Sequence, residues 1–146
     1  MSELTLKQAN LLAEATLSMA RHLNLPPVAV AVLDTGGHLK VLQREDGVSF
    51  LRVQVCQAKA WGALGLATNS RQIGERYNQD NFQQGFINAL NAMSGGGLIP
   101  LPGGVLIYDE SGQVTGAVGV SGAASDDDEA CAIAGIKAIN MQTDLK

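Results

Sequence analysis

Between Leu6 and Leu23 the apolar residues return every three or four positions. Leu6, Ala9, Ala13, Ala20 and Leu23 form one stripe, with Leu12 and Met19 on its shoulder. That is the period of a helix laid on a core. Thr5 and Gln8 have the spacing of a capping box at its start, and Pro26-Pro27 stops it. A thinner patch, Leu11, Ala15 and His22, marks the opposite side.

The period then changes. Val28 to Leu33 is a β-branched run of strand length. Asp34-Thr35-Gly36-Gly37 has hairpin-turn composition. His38 to Gln43 reads as the return strand. A strict alternation puts Leu39 and Val41 on one face and His38, Lys40 and Leu42 on the other. Ser49 caps a long helix over 50–66 that is rich in small residues, among them Ala58, Ala60, Gly62, Ala63 and Gly65. Asn69 and Ser70 start a shorter helix ending at Tyr77, and Asn81 to Met93 forms another. Ser94-Gly95-Gly96-Gly97 breaks that helix. Leu98 to Leu101 predicts a short strand, placed at an edge by Pro100. After the turn at Pro102-Gly103-Gly104, the strands Val105–Tyr108 and Gln113–Val120 flank a second hairpin turn, Asp109-Glu110-Ser111-Gly112. Ser125 opens a last helix to about Asn140. It reads as a capping box, with Asp126, Asp127 and Asp128 at the positive end of the helix dipole.

Hairpins mean antiparallel pairing. The expected fold class is therefore α+β, a five-stranded antiparallel sheet packed with helices, in one domain spanning residues 1–146. Charged residues are only 16% of the chain against 46% hydrophobic, where an ordinary soluble protein carries about 25% charge. So little charge leaves apolar surface that sister copies would cover. The net charge of −4 comes without a basic stripe, which argues against nucleic acid as a partner. No apolar run approaches the ~20 residues of a membrane helix. Met1-Ser2-Glu3 lacks the basic and apolar regions of a signal peptide. Cys56 and Cys131 fall inside predicted helices with no CxxC spacing, as reduced thiols of a cytoplasmic protein would.

Catalytic signatures are missing. There is no GxxxxGK loop, and Gly116, Gly119 and Gly122 are spaced by three, unlike a dinucleotide fingerprint. Ser121 lies between a strand and a helix, but a nucleophile elbow needs glycine where Ala123 stands. Two histidines cannot close a zinc site of four protein ligands by themselves, whereas one imidazole suffices to hold haem iron. His22 ends the first helix beside Leu11 and Ala15. It reads either as a cation favoured by the helix dipole or as an axial ligand beside an apolar strip. His38 is an exposed strand residue or a ligand. Lys59, inside an apolar stretch, either snorkels to solvent or meets a propionate or other anion. Arg44 and Asp46 suit a local ion pair across a turn.

Several segments taken together resemble the GlcG/HbpS family, which includes the C-terminal domain of PduO-type corrinoid proteins. They are Leu4-Thr5-Leu6 with Ala9, Ala31-Val32-Leu33-Asp34, Gly36-Gly37-His38-Leu39, Arg44 with Asp46-Gly47, and Lys59-Ala60. Pro102-Gly103-Gly104-Val105, Gly116 to Gly122, Asp128-Glu129 and Cys131-Ala132 complete the ordered set. The resemblance implies a profilin-like fold, homo-oligomers from dimer to octamer, and a non-enzymatic accessory role in binding haem or another small molecule. It also implies an association with glycolate or diol utilisation. The ligand-binding candidates are His22, His38, Arg44, Lys59, Gly103 and Gly104, with His22 or His38 as axial ligand. Haem ligation differs among relatives, so the resemblance by itself assigns neither histidine. Leu106 departs from the pattern, standing where many relatives have proline after Gly-Gly-Val.

Overall fold

The computed structural model describes residues 3–145. Helix α1 covers Leu6–His22, and Thr5 caps it as the spacing predicts. The Thr5 hydroxyl accepts the Gln8 N–H, and the Gln8 side chain accepts the Thr5 N–H. Its buried face is Ala9, Leu12, Ala13, Thr16 and Ala20. Leu6 and Leu23, expected in that stripe, are instead largely exposed at the helix ends. Thr16 completes the face because its hydroxyl donates to the Leu12 carbonyl and so can be buried.

The remaining elements are β1 (Ala29–Leu33), β2 (Leu39–Arg44), α2 (Phe50–Leu66), α3 (Ser70–Tyr77), α4 (Asn81–Met93), β3 (Gly104–Tyr108), β4 (Val114–Ser121) and α5 (Ser125–Ala138). The sheet has four strands in the order β2-β1-β4-β3, with every neighbouring pair antiparallel. The five strands expected from the sequence are thus four. Residues 98–101 form no strand. Leu98 is drawn into a helical cluster with Ile73 and Ile87. Its N–H donates to the Asn91 side chain rather than to a neighbouring strand, and Pro100 has no N–H to offer. The outer edge of β3 is met by the C-terminal segment instead. Tyr108 and Gln142 exchange two backbone hydrogen bonds.

Helices cover both faces of the sheet. Val28, Val30, Val32, Val41, Val105, Ile107, Val118 and Val120 pack on the side of α1 and α5. Ala29, Ala31, Leu33, Leu106 and Ala117 pack on the side of α2. Alternation along each strand produces this division, with β-branched Val and Ile under α1 and α5 and Ala and Leu under α2. Helix α2 comes so close that a Cβ on Gly119 would lie 1.9 Å from the Cys56 carbonyl oxygen. Only glycine fits there.

Two local expectations need correction. The register of β1 against β2 shifts between Val32 and Leu33. Val41 therefore sits opposite Val32, and Leu39 sits opposite Leu33, on the other face. Leu39 and Val41 do not share a side, because a bulge flips whatever follows it. Helix α5 also begins one residue earlier than expected. Its N-cap is Ala124, which offers no side-chain cap, so Ser125 is not the head of a capping box. Among the described residues, no helix is long and apolar enough to cross a membrane.

Candidate functional site

Three places bring the sequence candidates together. The first lies under α2. Burial along that helix leaves Lys59 only 2% exposed, so it does not snorkel to solvent. Its ammonium donates to the Val120 carbonyl at 2.9 Å and to Asp128 Oδ2 at 3.1 Å. Asp128 Oδ1 accepts the Ala123 N–H at 3.0 Å. Burial pushes the Lys59 amine down and the Asp128 carboxyl up, and each charge opposes the shift of the other. Gly103 and Gly104 make room for this arrangement. A Cβ on Gly103 would lie 2.8 Å from Lys59 Nζ, and one on Gly104 would lie 2.1 Å from the Lys59 carbonyl oxygen. Lys59, Gly103 and Gly104 therefore do meet. They meet in a sealed knot, where a ligand carboxylate would have to displace Asp128.

Beside the knot, Arg71 forks onto Glu129 at 3.0 to 3.1 Å and also reaches Asp126. Those carboxylates hold the guanidinium above its ordinary pKa. Asp126 and Asp128 thus have partners on other helices as well as a place at the start of α5. Lys59 inside an apolar helix demands a counter-charge, which was the available clue; nothing in the spacing names Asp128. Arg71 carries no comparable signal.

The second place is the end of the sheet where α1 stops. Arg44 lies opposite Ala29, and Ala29 lies opposite Ser121 on its other side. Arg44 is exposed and makes no pair with Asp46. The engaged charge is Glu45, which binds Arg21 at 3.0 Å and accepts the Val28 N–H at 2.9 Å. A shallow cleft of about 390 Å³ here is lined by Arg21, Pro27, Arg44, Glu45 and Asp46. His22 is exposed at the end of α1.

The third place lies at the opposite end of β1, around the β1–β2 turn. A cleft of about 490 Å³ runs between β2, α2 and the loop after α4. Leu33, Leu39, Ala58 and Trp61 give it four apolar side chains, while Gln54, Gln57, Ser94 and the glycine backbone after α4 make the larger part of its lining polar. Gly37 and Leu39, the residues on either side of His38, both line it. The His38 ring itself leans over Gly36, where a Cβ would lie 2.9 Å from Cδ2. Among the described residues, neither imidazole makes a side-chain hydrogen bond or ion pair. His22 lies at the C-terminal end of α1 and His38 in the turn between β1 and β2, so different elements carry the two imidazoles. Trp61, the one tryptophan of the chain, carries no sequence signal that marks it as part of a site. A Cβ on Gly37 would lie 3.0 Å from its Nε1, and one on Gly97 would lie 2.6 Å from its Cε3. The indole thus reaches from the β1–β2 turn to the loop after α4.

Among the described residues, no three His, Cys, Asp or Glu side chains gather as a metal site. The fold and its clefts define a class of small α+β protein with helices on both sides of an antiparallel sheet. Solved structures share that architecture. The PduOC haem complex superposes with a TM-score of 0.86 at 24% identity, covering 97% of this chain and 99% of that one. The Klebsiella pneumoniae protein ORFY gives 0.85 at 26% identity, covering 96% and 93%. Streptomyces reticuli HbpS, solved as a double mutant, gives 0.77 at 28% identity, covering 94% and 87%. No curated protein matches significantly. The family model for HbpS-like haem degrading proteins matches residues 4–137, and the chain belongs to that family.

Proposed function

We propose that the chain is a haem-binding accessory protein that works as one domain and associates with copies of itself. Family membership supports haem as the ligand, and the relative solved as a haem complex has the same fold. The observation that carries the reading here is the cleft whose lining includes both neighbours of His38. Haem needs a slot for a flat apolar macrocycle, an axial donor, and room for two carboxylates. Leu33, Leu39, Ala58 and Trp61 suit the macrocycle, Gln54 and Gln57 suit its polar edge, and His38 is accessible to hold the iron. Once bound, the haem would supply iron-centred redox and ligand-binding chemistry. The alternatives fit less well. A cleft of about 570 Å³ is lined by Glu3, Asp109 and Glu110 and repels a dicarboxylate. The cleft next to Arg21 and Arg44 is walled by charged side chains. Buried, unpaired thiols at Cys56 and Cys131 suit a reducing, cytoplasmic setting.

Haemin titration tests the proposal. A Soret band is expected with the parent chain, weakened at least tenfold by His38→Ala and kept by His22→Ala. Loss in His22→Ala alone would move the haem to the face of α1. Equal binding by both variants removes histidine ligation, and no Soret band in the parent chain overturns haem binding itself.

A further inference from the structure

Helix α4 is apolar on the wrong side. Its inward residues, Ile87 and Leu90, join Ile73 of α3, Leu66 of α2 and Leu98 in a small cluster. Its outward face carries Phe82, Phe86 and Ala89, all exposed, with Phe82 at 79%, and ends at Met93, 77% exposed, which also borders a small gap shared with Trp61 and Leu66 of α2. Their spacing of four, three and four is the seam of a helix pair. No residue of Asn81–Met93 is charged, which is abnormal for a face left to water. Gly85 adds open space, since a Cβ there would meet nothing within 4 Å.

We infer that this face is where two copies of the chain dock, with α4 antiparallel to α4 of the partner about a two-fold axis. The inference rests on the self-association in the proposed function and adds its surface. An antiparallel register that places Phe82 against Met93 of the partner subunit also places Phe86 against Ala89 of the partner subunit. Each large side chain then meets a small or a flexible one, and a thioether meets an aromatic ring. The two-fold axis makes the contact self-complementary and closed. Burying Phe82, Met93 and the exposed part of Phe86 removes on the order of 400 Å² of apolar surface per copy, about 800 Å² for the pair. The flanking helix surface raises that toward the roughly 1,200 Å² at which specific interfaces begin. With no charge on α4, the pairing opposes no like charges within the seam. Arg76 stays at the rim, its guanidinium 5.0 Å from the Phe86 ring centroid. A parallel pairing would stack Phe82 on its own copy and leave the small residues facing each other.

Size-exclusion chromatography with light scattering on the full chain tests the surface, and disulfide trapping tests the register. The parent chain is expected to be dimeric or larger at micromolar concentration. Phe82→Glu with Met93→Glu should lose that contact and halve the mass, with its circular dichroism spectrum unchanged. Phe50→Glu, at an exposed aromatic elsewhere, should leave the mass as it was. The double variant Phe82→Cys with Met93→Cys should cross-link between copies on mild oxidation, since both native cysteines are buried. Phe82→Cys alone should not, because its two copies stand about 16 Å apart in this register. A parent chain that is monomeric overturns both the inference and the self-association. A mass untouched by the two glutamates overturns this surface alone and leaves self-association standing. Cross-linking by Phe82→Cys alone overturns the antiparallel register.

Discussion

Lys59 and Asp128 are 69 residues apart in sequence and 3.1 Å apart in space, with side chains 2% and 1% exposed. Helix α2 brings the ammonium to one side of β4, and α5 brings the carboxylate to meet it. Desolvating both charges is costly, and their attraction offsets that cost only while both remain. Lys59→Met alone, or Asp128→Leu alone, changes this balance differently from the pair together. Lys59→Met is expected to cost about 3–5 kcal/mol, because it strands a buried carboxylate. The double variant Lys59→Met with Asp128→Leu should recover much of that loss. Urea denaturation of the three variants checks it, and a double variant that loses the sum of the single losses refutes it.

The Lys59→Met variant should also respond to pH with a definite sign. Burial already raises the Asp128 pKa in the folded chain, and removing the ammonium that opposes this raises it further. Folded Asp128 then binds a proton over a pH range where the unfolded chain does not. Stability therefore falls as pH rises through that range and returns as pH falls. The deficit of the variant relative to the parent should shrink between neutral pH and the ordinary carboxylate range. Unfolding free energies at neutral pH and in mild acid measure it, and a deficit that widens in acid would contradict the assignment.

The glycine turn before β3 is tied to the same pair. A Cβ on Gly104 would fall 2.1 Å from the Lys59 carbonyl oxygen, and backbone cannot yield as a flexible side chain does. Gly103 combines φ of +131° with a near contact to Lys59 Nζ. Gly104→Ala should therefore cost about 3 kcal/mol, at the upper end for overpacking. Gly65→Ala, helical with only the Trp61 ring edge nearby at 3.9 Å, should instead stabilise by about 0.5–1 kcal/mol. Thermal melts of the two variants should move in opposite directions.

Much of this architecture is legible in the chain. The start of α2 follows from its Ser49 cap and the end of α4 from the glycine break at 94–97, because these are local forces. The Thr5 capping box is equally local. What was not legible depends on contacts made after the chain folds. Leu98 reads as strand by propensity, but burial with Ile73 and Ile87 wins. Leu39 reads as a neighbour of Val41 until a bulge separates them. Lys59 reads either as a residue snorkelling to solvent or as one that meets a ligand anion, and it proves buried against Asp128 instead. The cleft at His38 is assembled from β1, β2, α2 and the loop after α4, and no spacing along the chain encodes that convergence.

Trp61 gives the cleft a built-in reporter. It is the sole tryptophan and 39% exposed, and its indole abuts the Gly37 and Gly97 backbones. Gly97→Ala would bring a methyl group within 2.6 Å of the ring and force it to move. A shift in emission wavelength is expected from that variant, with a change of severalfold in haemin affinity. Gly112→Ala, whose added Cβ would meet nothing within 4 Å, should leave the emission alone. An unchanged spectrum in Gly97→Ala would mean that the indole is not held where the structure puts it.

Asn69 works at β3, the edge of the sheet opposite β2. It is fully buried, and its side chain makes two bonds that few residues could make together. Oδ1 accepts the Leu106 N–H at 2.8 Å, while Nδ2 donates to Asp144 at 2.7 Å. The first bond satisfies a backbone donor on β3, and the second ties down the C-terminal segment that pairs with Tyr108. Asn69→Ala leaves the Leu106 amide buried without an acceptor, which costs about 1–3 kcal/mol. Asn69→Asp keeps an acceptor for Leu106 but sets a carboxylate against Asp144, so the C-terminal segment should loosen first. Hydrogen exchange separates the two effects. In Asn69→Ala both the Leu106 and Gln142 amides should exchange faster. In Asn69→Asp the Gln142 amide should be the more strongly affected. Equal protection of both amides in both variants would show that the clasp does not depend on this side chain.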